Sequence, residues 1–418
     1  MRAAPLRHRR TVLELVLATI LTATLAPAPL SAQAPDRWEK AIAAFEAADK
    51  TNPPPKDCVL FIGASNTRRW STLAQDFRGW KVVNRGFGGS LLSDALHFAD
   101  RIVIPAAPKT ICVQSGGNDI NAGRTPDQVL ADFKAFVLKV RATLPETKIH
   151  FIALPPSPAR WSQREKQREV NRLVETFARE DGQLNYIDVF EHMLGDDGRP
   201  RPELYVSDNL HLSPKGYSLW TSLIRWDSAL KNFAKNARTN PPPADPVLFI
   251  GSSSVVRWKT LAQDFPGLPV VNRGFGGSLL ADSANLVHHL VLPLRPGRIV
   301  VYAGSNDINA GRTPEQVLAA FQSFVEKVHA KQSETAITFI SITPAPSRWK
   351  QVEQIKAANK LVEDFCRNHA RLTFIDAFEQ FLGPDGQPRE ELFVEDRLHL
   401  APAGYAIWQA LVSKSLTK

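Results

Sequence analysis

The stretch Val59-Leu-Phe-Ile-Gly-Ala-Ser65 contains the pattern that decides the fold. Its apolar residues follow one another without alternation, and a glycine and an alanine then precede Ser65. A short continuous run of β-branched and aromatic residues is typical of a strand buried on both faces, as in a parallel sheet covered by helices. In such sheets, ligands bind just beyond the carboxyl ends of the strands. The position of Ser65 directly after the run therefore makes it a candidate functional residue.

This run is part of a repeat with a period of 188 residues. VLFIG at 59–63 returns at 247–251, and three further blocks recur at the same offset: TNPPP at 51–55 and 239–243, VVNRGFGGS at 82–90 and 270–278, and NDINAGRTP at 118–126 and 306–314. A chain of 418 residues has room for two domains, and a repeat this long is a whole domain rather than a solenoid module. We therefore predict a tandem duplication, with one domain at 35–224 and the other at 225–418.

Within one unit, short apolar runs alternate with helical patterns. One helix start is well marked, because Thr125 can cap it, Pro126 occupies its first position and Gln128 completes a capping box. Alternating strands and helices predict an α/β fold with helices on both faces of a parallel sheet, that is, three layers per domain. The predicted strands of the first unit are Val59–Gly63, Lys81–Asn84, Thr110–Val113, Lys148–Leu154 and Asn185–Val189.

The amino terminus has the features of a secretory signal peptide, predicted to span residues 1–34. A basic segment at 2–10 precedes an apolar stretch at 12–25, and Ala32-Gln33-Ala34 fits the A-x-A cleavage pattern. Because Pro35 hinders a cut after Ala34, cleavage after Ala32 is the alternative. The apolar stretch is shorter than a spanning helix needs, so we expect a periplasmic or secreted protein with no stable membrane insertion, rather than an anchored one.

Composition excludes several classes of protein. Hydrophobic residues make up 44% of the chain and charged residues 22%, as in globular domains. The net charge of +9 comes with lysines and arginines interspersed among carboxylates, so we expect no nucleic-acid partner. The spacing of the three cysteines fits no metal site, and we expect free buried thiols and no cofactor. Oligomeric state is left open.

The repeat also selects candidate catalytic residues, because residues that both copies use recur at the same offset. Of ten histidines, only His211 and His399 recur, and the recurring serines are Ser65 with Ser253 and Ser90 with Ser278. A serine nucleophile needs a base, usually histidine, and an acid that orients the imidazole. Asp208 and Asp396 stand three residues before the two histidines. These residues predict a Ser–His–Asp triad in each copy.

Four blocks of each copy together resemble the SGNH hydrolases, also called GDSL-type esterases and lipases. The resemblance implies a flavodoxin-like five-stranded parallel sheet in each domain, with Ser65 and Ser253 as nucleophiles. It also implies that the oxyanion hole is formed by glycines and asparagines that follow the second and third strands, namely Gly89, Asn118, Gly277 and Asn306. The Asp and Leu of the name-giving Gly-Asp-Ser-Leu are absent, which affects the expected substrate range more than the nucleophile.

Two function classes remain. The favoured one is a serine esterase with two independent sites per chain, acting on an acylated small molecule, an acylated sugar or a lysophospholipid, with a preference for short acyl groups. The alternative is a ligand-binding protein on the same fold, in which one or both copies are inactive. A complete set of catalytic residues in both copies favours the esterase.

Arginine–tryptophan pairs in both copies are candidates for a substrate rim. Arg160-Trp161 and Arg348-Trp349 lie in Pro-rich loops after the fourth strand, and Arg69-Trp70 and Arg257-Trp258 follow the nucleophiles. The rim interpretation competes with a plainer one, in which each tryptophan packs under a loop and each arginine is solvated. The plainer interpretation is slightly favoured.

Overall fold

The computed structural model describes residues 36–416; the predicted signal peptide at 1–34 lies outside this part. In the first domain the strands are β1 (Val59–Gly63), β2 (Val82–Gly86), β3 (Thr110–Gln114), β4 (Lys148–Ile152) and β5 (Leu184–Ile187). Its helices are α1 (Asp36–Thr51), α2 (Ser65–Arg69), α3 (Leu73–Asp76), α4 (Leu92–Ile102), α5 (Gly117–Asn121), α6 (Pro126–Thr143), α7 (Arg164–Arg179) and α8 (Pro214–Thr239).

The second domain repeats this order. Its strands are β6 (Val247–Gly251), β7 (Val270–Gly274), β8 (Arg298–Tyr302), β9 (Ala336–Ile340) and β10 (Leu372–Ile375). Its helices are α9 (Ser253–Arg257), α10 (Leu261–Asp264), α11 (Leu280–Asn285), α12 (Val287–Leu290), α13 (Ser305–Asn309), α14 (Pro314–His329), α15 (Val352–Arg367) and α16 (Pro402–Leu416). Short 3-10 turns at Pro158–Gln163 and Pro346–Gln351 follow the fourth strand of each domain.

Each sheet has five parallel strands. The order in the first is β2-β1-β3-β4-β5, and the second has the same order of corresponding strands. Val59 pairs with Val82 on one side and with Thr110 on the other, so β1 is an internal strand between β2 and β3. Chain order reverses at β1, and a parallel sheet binds ligands beyond the carboxyl ends of the strands at such a point. The predicted α/β class and parallel five-stranded sheets are confirmed.

Both faces of each sheet are buried, which explains why the strands lack alternation. Leu60 and Ile62 belong to one apolar cluster, whereas Phe61 between them belongs to another. In the second domain, Leu248 and Ile250 likewise belong to one apolar cluster and Phe249 to another. Helices therefore cover both faces, giving three layers per domain. Cys58, Cys112 and Cys366 are buried free thiols, as expected.

Helix α8 joins the two domains without a break. It runs for 26 residues through the predicted boundary at 224–225, and its residues Leu219 and Leu223 share an apolar cluster with Leu286 and Leu290 of the second domain. Ser222 Oγ donates to Asp282 Oδ1 across the same contact at 2.7 Å. The last helix of one copy thus continues as the first helix of the next.

A pair of histidines forms part of the contact between the domains. His192 Nε2 and His289 Nε2 lie 2.9 Å apart, so one neutral ring donates to the other. Burial lowers the pKa of each to about 4, and nearby His288 acts in the same direction. Two protonated rings would leave no acceptor between them, so this contact requires that at least one ring be neutral.

We expect acid to weaken this contact. The folded pKa lies below the ordinary value of 6.5, so the unfolded chain binds more protons as pH falls from about 6.5 toward 4, and stability falls over that window. The variant His192→Gln has the residue that stands at the corresponding position of the second domain, Gln380. Between pH 7.5 and pH 5 its free energy of unfolding should fall by less than that of the wild type, by on the order of 2 kcal/mol, and its melting temperature should fall less accordingly. The exposed His97→Gln is the control, and an unchanged pH dependence in His192→Gln would contradict the interpretation.

Candidate active site

Ser65 is the first residue of α2, two residues beyond the end of β1. Its Oγ lies 2.8 Å from His211 Nε2, and His211 Nδ1 lies 2.6 Å from Asp208 Oδ2. The loop that carries His211 is held against the serine turn, because the Leu212 N–H donates to Asn66 Oδ1 and the Tyr217 hydroxyl donates to the Asn66 carbonyl. The three residues predicted as a triad are thus in a continuous hydrogen-bonded chain.

The second copy has the same geometry. Ser253 Oγ lies 2.8 Å from His399 Nε2, and His399 Nδ1 lies 2.6 Å from Asp396 Oδ2. The Tyr405 hydroxyl donates to the Ser254 carbonyl, as Tyr217 does to Asn66. The structure therefore brings all six predicted triad residues together in two separate sites, each composed of residues from one copy.

A tight turn explains the spacing of acid and base. Asn209, with φ 54°, is left-handed, so that Asp208 Oδ1 accepts from the backbone N–H groups of both Leu210 and His211 at 2.9 Å. Hydrogen bonds from the His211 backbone N–H and side chain and from Leu210 hold the pKa of Asp208 well below its usual range. The carboxylate therefore remains charged and can support a positive imidazole.

Asp396 is held in the same manner. Burial alone would raise its pKa, but hydrogen bonds from the His399 backbone N–H, the His399 side chain and the Leu398 N–H outweigh burial and lower the pKa to about 2. In each copy an arginine also approaches the acid at 3.4 Å, Arg69 for Asp208 and Arg257 for Asp396. Both ion pairs are well exposed, so they contribute little.

The candidate oxyanion donors follow the second and third strands of each sheet: the glycines lie in turns before α4 and α11, and the asparagines lie in the short helices α5 and α13. Gly89 has φ 81° and Gly277 has φ 85°, a conformation in which a side chain would be strained. Asn118 Nδ2 donates to the Ser90 carbonyl at 3.0 Å, and Asn306 Nδ2 donates to the Ser278 carbonyl at the same distance. An amide NH₂ has two donors, so one N–H of each asparagine remains for a ligand.

Arg160 orients the Asn118 amide. Its Nη1 donates to Asn118 Oδ1 at 3.0 Å and to the Gly117 carbonyl at 3.1 Å, which fixes the side of the amide that carries the N–H groups. In the second copy Arg348 donates to Asn306 Oδ1 at 2.9 Å and to Ser305 Oγ at 2.7 Å. Burial lowers the pKa of both guanidiniums. These arginines, predicted for a substrate rim, contact the asparagine of the candidate oxyanion hole, and Arg160 also contributes to the wall of the cavity at Ser65.

The tryptophans of the predicted rim differ in position. Trp161 is partly buried, with the Arg164 guanidinium 5.0 Å from its ring centroid, and Trp349 packs partly buried against the apolar core. Trp70 and Trp258 are 2% exposed, and their indole N–H groups donate to Asp76 and Asp264. The latter pair thus follows the plainer interpretation of a tryptophan that packs under a loop.

The sequence patterns assigned no role to the aspartate that follows each candidate oxyanion asparagine. Asp119 is fully buried and accepts the Leu92 N–H at the start of α4, and Asp307 accepts the Leu280 N–H at the start of α11. Burial raises the pKa of Asp119 to about 6 and that of Asp307 to about 7. Each carboxyl thus connects the short helix that contains the asparagine to the start of the helix that follows the glycine turn. The recurrence of both aspartates at the 188 offset could have identified them.

The described residues contain neither a cluster of metal-binding side chains nor a membrane-spanning helix. Between residues 36 and 416, no group of three or more His, Cys, Asp or Glu side chains is arranged to hold a metal ion. Among the helices of the same range, none is long and apolar enough to cross a membrane.

Solved structures of other proteins are similar to parts of this chain. A GDSL-like lipase from Bacteroides thetaiotaomicron is 19% identical, with a TM-score of 0.39 over 46% of this chain and 96% of its own. An acetylxylan esterase from Geobacillus stearothermophilus is also 19% identical, with a TM-score of 0.35 over 40% of this chain and 92% of its own. No match is found among curated proteins.

A family model matches the chain twice. The model of the GDSL-like lipase/acylhydrolase family, a family of ester hydrolases, covers residues 59–219 and 250–407. The first range contains the whole first sheet, and the second contains the second sheet except the first three residues of β6. Each range contains one set of triad residues, and together the ranges make up more than half of the chain. The chain therefore belongs to the GDSL-like lipase/acylhydrolase family, as its sequence blocks predicted, with one family domain in each half.

Proposed function

We propose that the protein is an exported serine esterase that hydrolyses acyl esters at two active sites per chain. The observation that carries this proposal is the doubled hydrogen-bonded chain from serine to histidine to aspartate, with distances of 2.8 and 2.6 Å in each copy. A rival binding protein on the same fold would have no need to keep a base within hydrogen-bond reach of a serine twice.

In the acylation step, His211 Nε2 takes the Ser65 hydroxyl proton while Oγ attacks the ester carbonyl carbon. The Asp208 carboxylate stabilises the imidazolium that forms. Negative charge develops on the former carbonyl oxygen, and the free Asn118 N–H and the Gly89 N–H donate to it. The tetrahedral adduct then collapses, His211 gives its proton to the departing alkoxide, and an acyl-serine remains.

In the deacylation step, His211 takes a proton from water, and the resulting hydroxide attacks the acyl-serine carbonyl. The same donors hold the second oxyanion, and the serine oxygen leaves with the proton from His211. Ser253, His399 and Asp396 perform the same steps in the second domain. Each proton that the histidine takes is returned within the same step, so the cycle needs no cofactor.

The substrate is an acylated small molecule, an acylated sugar or a lysophospholipid, with a preference for short acyl groups. A cavity of about 50 Å³ opens at Ser65. A single water needs about 10–15 Å³ by the same kind of measure, so this volume has room for a group of a few non-hydrogen atoms. The volume supports short acyl chains at the first site.

Active-site labelling tests the proposal. A fluorophosphonate reacts with a serine only when its base and oxyanion donors are assembled, so intact protein should incorporate two labels, on Ser65 and Ser253, as resolved by peptide mass spectrometry. Protein unfolded before labelling is the control and should incorporate none. Labelling of a single serine would leave one copy as a binding domain, and labelling of neither would overturn the proposal.

Export is tested separately at the amino terminus. The basic segment, the apolar stretch and the A-x-A pattern support cleavage near Ala32 to Ala34, so the mature chain should begin between residues 33 and 35. Amino-terminal sequencing of protein from the periplasm or medium of the expressing bacterium checks this. An intact Met1 in a membrane fraction would replace cleavage with an uncleaved anchor.

A further inference from the structure

One loop of the first domain contacts the second active site. This loop, at residues 77–80, lies between α3 and β2, and its Arg78 reaches the second domain. The Arg78 guanidinium donates to the Asn309 carbonyl through Nη1 at 3.1 Å and to the Ala310 carbonyl through Nη2 at 2.9 Å. Both carbonyls lie at the end of α13, the short helix that contains the candidate oxyanion donor Asn306. A residue of one copy thus contacts the site of the other.

A helix as short as α13 depends on the contacts at its ends. The last carbonyls of a helix have no partner within it, and arginine side chains near that end can donate to them. The Ala310 N–H in turn donates to the Asn306 carbonyl at 2.8 Å, so Arg78 holds the turn that carries the asparagine. Arg348 and the Ser278 carbonyl fix the orientation of the amide. Arg78 adds a contact that fixes the backbone to which this amide is attached.

A series of side-chain contacts connects the same loop to the glycine turn of the second site. Arg225 of α8 donates to the Arg78 carbonyl at 3.1 Å. Its guanidinium is close to two aromatic rings, 5.7 Å from the centroid of Trp80 and 5.5 Å from that of Trp226. The Trp226 ring lies against the glycine turn, since a Cβ on Gly277 would be 3.9 Å from it. Both candidate oxyanion donors of the second site are therefore connected to loop 77–80.

The first site has the same tryptophan at its glycine turn. Trp38 corresponds to Trp226, and a Cβ on Gly89 would lie 3.4 Å from its ring. Its neighbour Arg37 is exposed, whereas the corresponding Arg225 is partly buried. Support of the glycine turn by a tryptophan is thus common to both copies, and at the second site the first domain adds to it.

The sequence of the loop differs between the copies in the side chains that make these contacts. Residues 77–80 are Phe-Arg-Gly-Trp, and the corresponding residues 265–268 are Phe-Pro-Gly-Leu. The buried phenylalanine and the glycine with positive φ, which shape the turn, are the same in both. The arginine and the tryptophan are replaced by proline and leucine, both exposed. The two contacting side chains thus occur in the copy whose loop lies beside another active site.

We propose that Arg78 and Trp80 of the first domain are positioning residues for the second active site. This inference rests on the proposed esterase function and deepens it. The two side chains hold the short helix and the glycine turn that present the candidate oxyanion donors, so hydrolysis at Ser253 is faster because the first domain is in place. They act through other residues and do not touch the substrate. Hydrolysis at Ser65 does not depend on them.

Single-site variants of the full chain test this. Ser65→Ala leaves only the second site and Ser253→Ala leaves only the first, and Arg78→Ala or Trp80→Leu is added to each. In the Ser65→Ala chain we expect either addition to lower kcat on a phenyl ester by about three- to tenfold, the effect of one hydrogen bond. KM should change little, because oxyanion donors act in the transition state. In the Ser253→Ala chain kcat should be unchanged, although both substitutions lie in the domain that contains that site.

A double-mutant cycle distinguishes positioning from a general loss of structure. If Arg78 acts through Asn306, its replacement should lower kcat by less than about twofold once Asn306→Ala has removed the donor. An arginine that merely stabilises the fold would cost the same factor with and without Asn306. Pro266→Ala, in the corresponding loop of the second domain, is the matched control and should leave both sites unchanged. Thermal melting shows that each variant is folded, and Trp80→Leu still decides if Arg78→Ala does not fold.

The outcomes separate the two proposals. An unchanged kcat at the second site would overturn the positioning role of the residue replaced and leave the esterase intact. An equal loss at both sites, or the same loss for Arg78→Ala with and without Asn306, would also overturn that role, as would a second site that is inactive in the Ser65→Ala chain. Failure of both single-site chains to hydrolyse the ester or to react with a fluorophosphonate would instead overturn the esterase, and the positioning role with it.

Discussion

Replacing both Ser65 and Ser253 with alanine is expected to reduce ester hydrolysis by on the order of 10⁴–10⁶ in kcat, the range found when a serine-hydrolase triad loses a member. The alanines remove the only atoms that bond to the acyl group, so the oxyanion donors are left to act on a direct attack by water. Each single variant should retain the activity of the other site, because the 2.8 Å and 2.6 Å contacts of each triad are made within one domain. Initial rates on a phenyl ester, with protein concentration measured by absorbance, provide the comparison.

Ser71→Ala is the matched control for this experiment. Ser71 is exposed, lies in the same loop region as Ser65 and has no serine at the corresponding position of the second copy, which is Lys259. Its replacement should leave the rate unchanged. A fully inactive Ser65→Ala or Ser253→Ala chain would show that one site performs all the hydrolysis, and substantial activity in the double variant would contradict the serine mechanism.

Local sequence patterns predicted the secondary structure closely. Val59–Gly63 has the predicted bounds, because the apolar run ends in a glycine and is followed by an alanine and a serine. By contrast, β5 begins at Leu184 rather than at Asn185 and ends at Ile187 rather than at Val189. The capping box at Thr125 forms as predicted, with Thr125 Oγ1 accepting the Gln128 N–H. Strand bounds and helix caps depend mainly on residues adjacent in the sequence, so they can be predicted from a single sequence.

The repeat identified catalytic candidates that are distant in sequence, which local patterns could not do. Ser65 and His211 are far apart in sequence, and no local rule indicates that their side chains meet at 2.8 Å. Recurrence at the 188 offset selected both from many serines and ten histidines. The parallel topology then explains their meeting, because the carboxyl ends of all strands lie along one edge of the sheet.

Contacts that depend on the exact approach of two loops were missed. Arg160 reaches Asn118 because the 3-10 turn Pro158–Gln163 folds over α5, and its recurrence as Arg348 indicated a shared role without identifying the partner. The continuity of α8 was also missed, although its signal was present: residues 217–240 contain no glycine or proline, so nothing in the sequence ends the helix at the predicted boundary.

The position of Arg160 also determines what Asn118 can contribute in its proposed role as an oxyanion donor. An amide that is free to rotate would present its carbonyl oxygen to the oxyanion part of the time, which is repulsive. With Oδ1 held by Arg160 at 3.0 Å and one N–H held by the Ser90 carbonyl, the second N–H is fixed before substrate arrives. Such preorganised donors act in the transition state at no reorganisation cost.

Asn118→Ala in the Ser253→Ala chain is therefore expected to lower kcat of the first site by about 10²–10³, the effect of removing one oxyanion donor. KM should change little, because the amide donates mainly to the charge that develops in the transition state, so kcat and kcat/KM should fall together. Asn121→Ala is the control, since Asn121 lies on the same short helix but is exposed and bonded to Gln163. A rise in KM with unchanged kcat would show instead that Asn118 binds the substrate in its ground state, and the oxyanion role would then have to be supplied by backbone N–H groups alone.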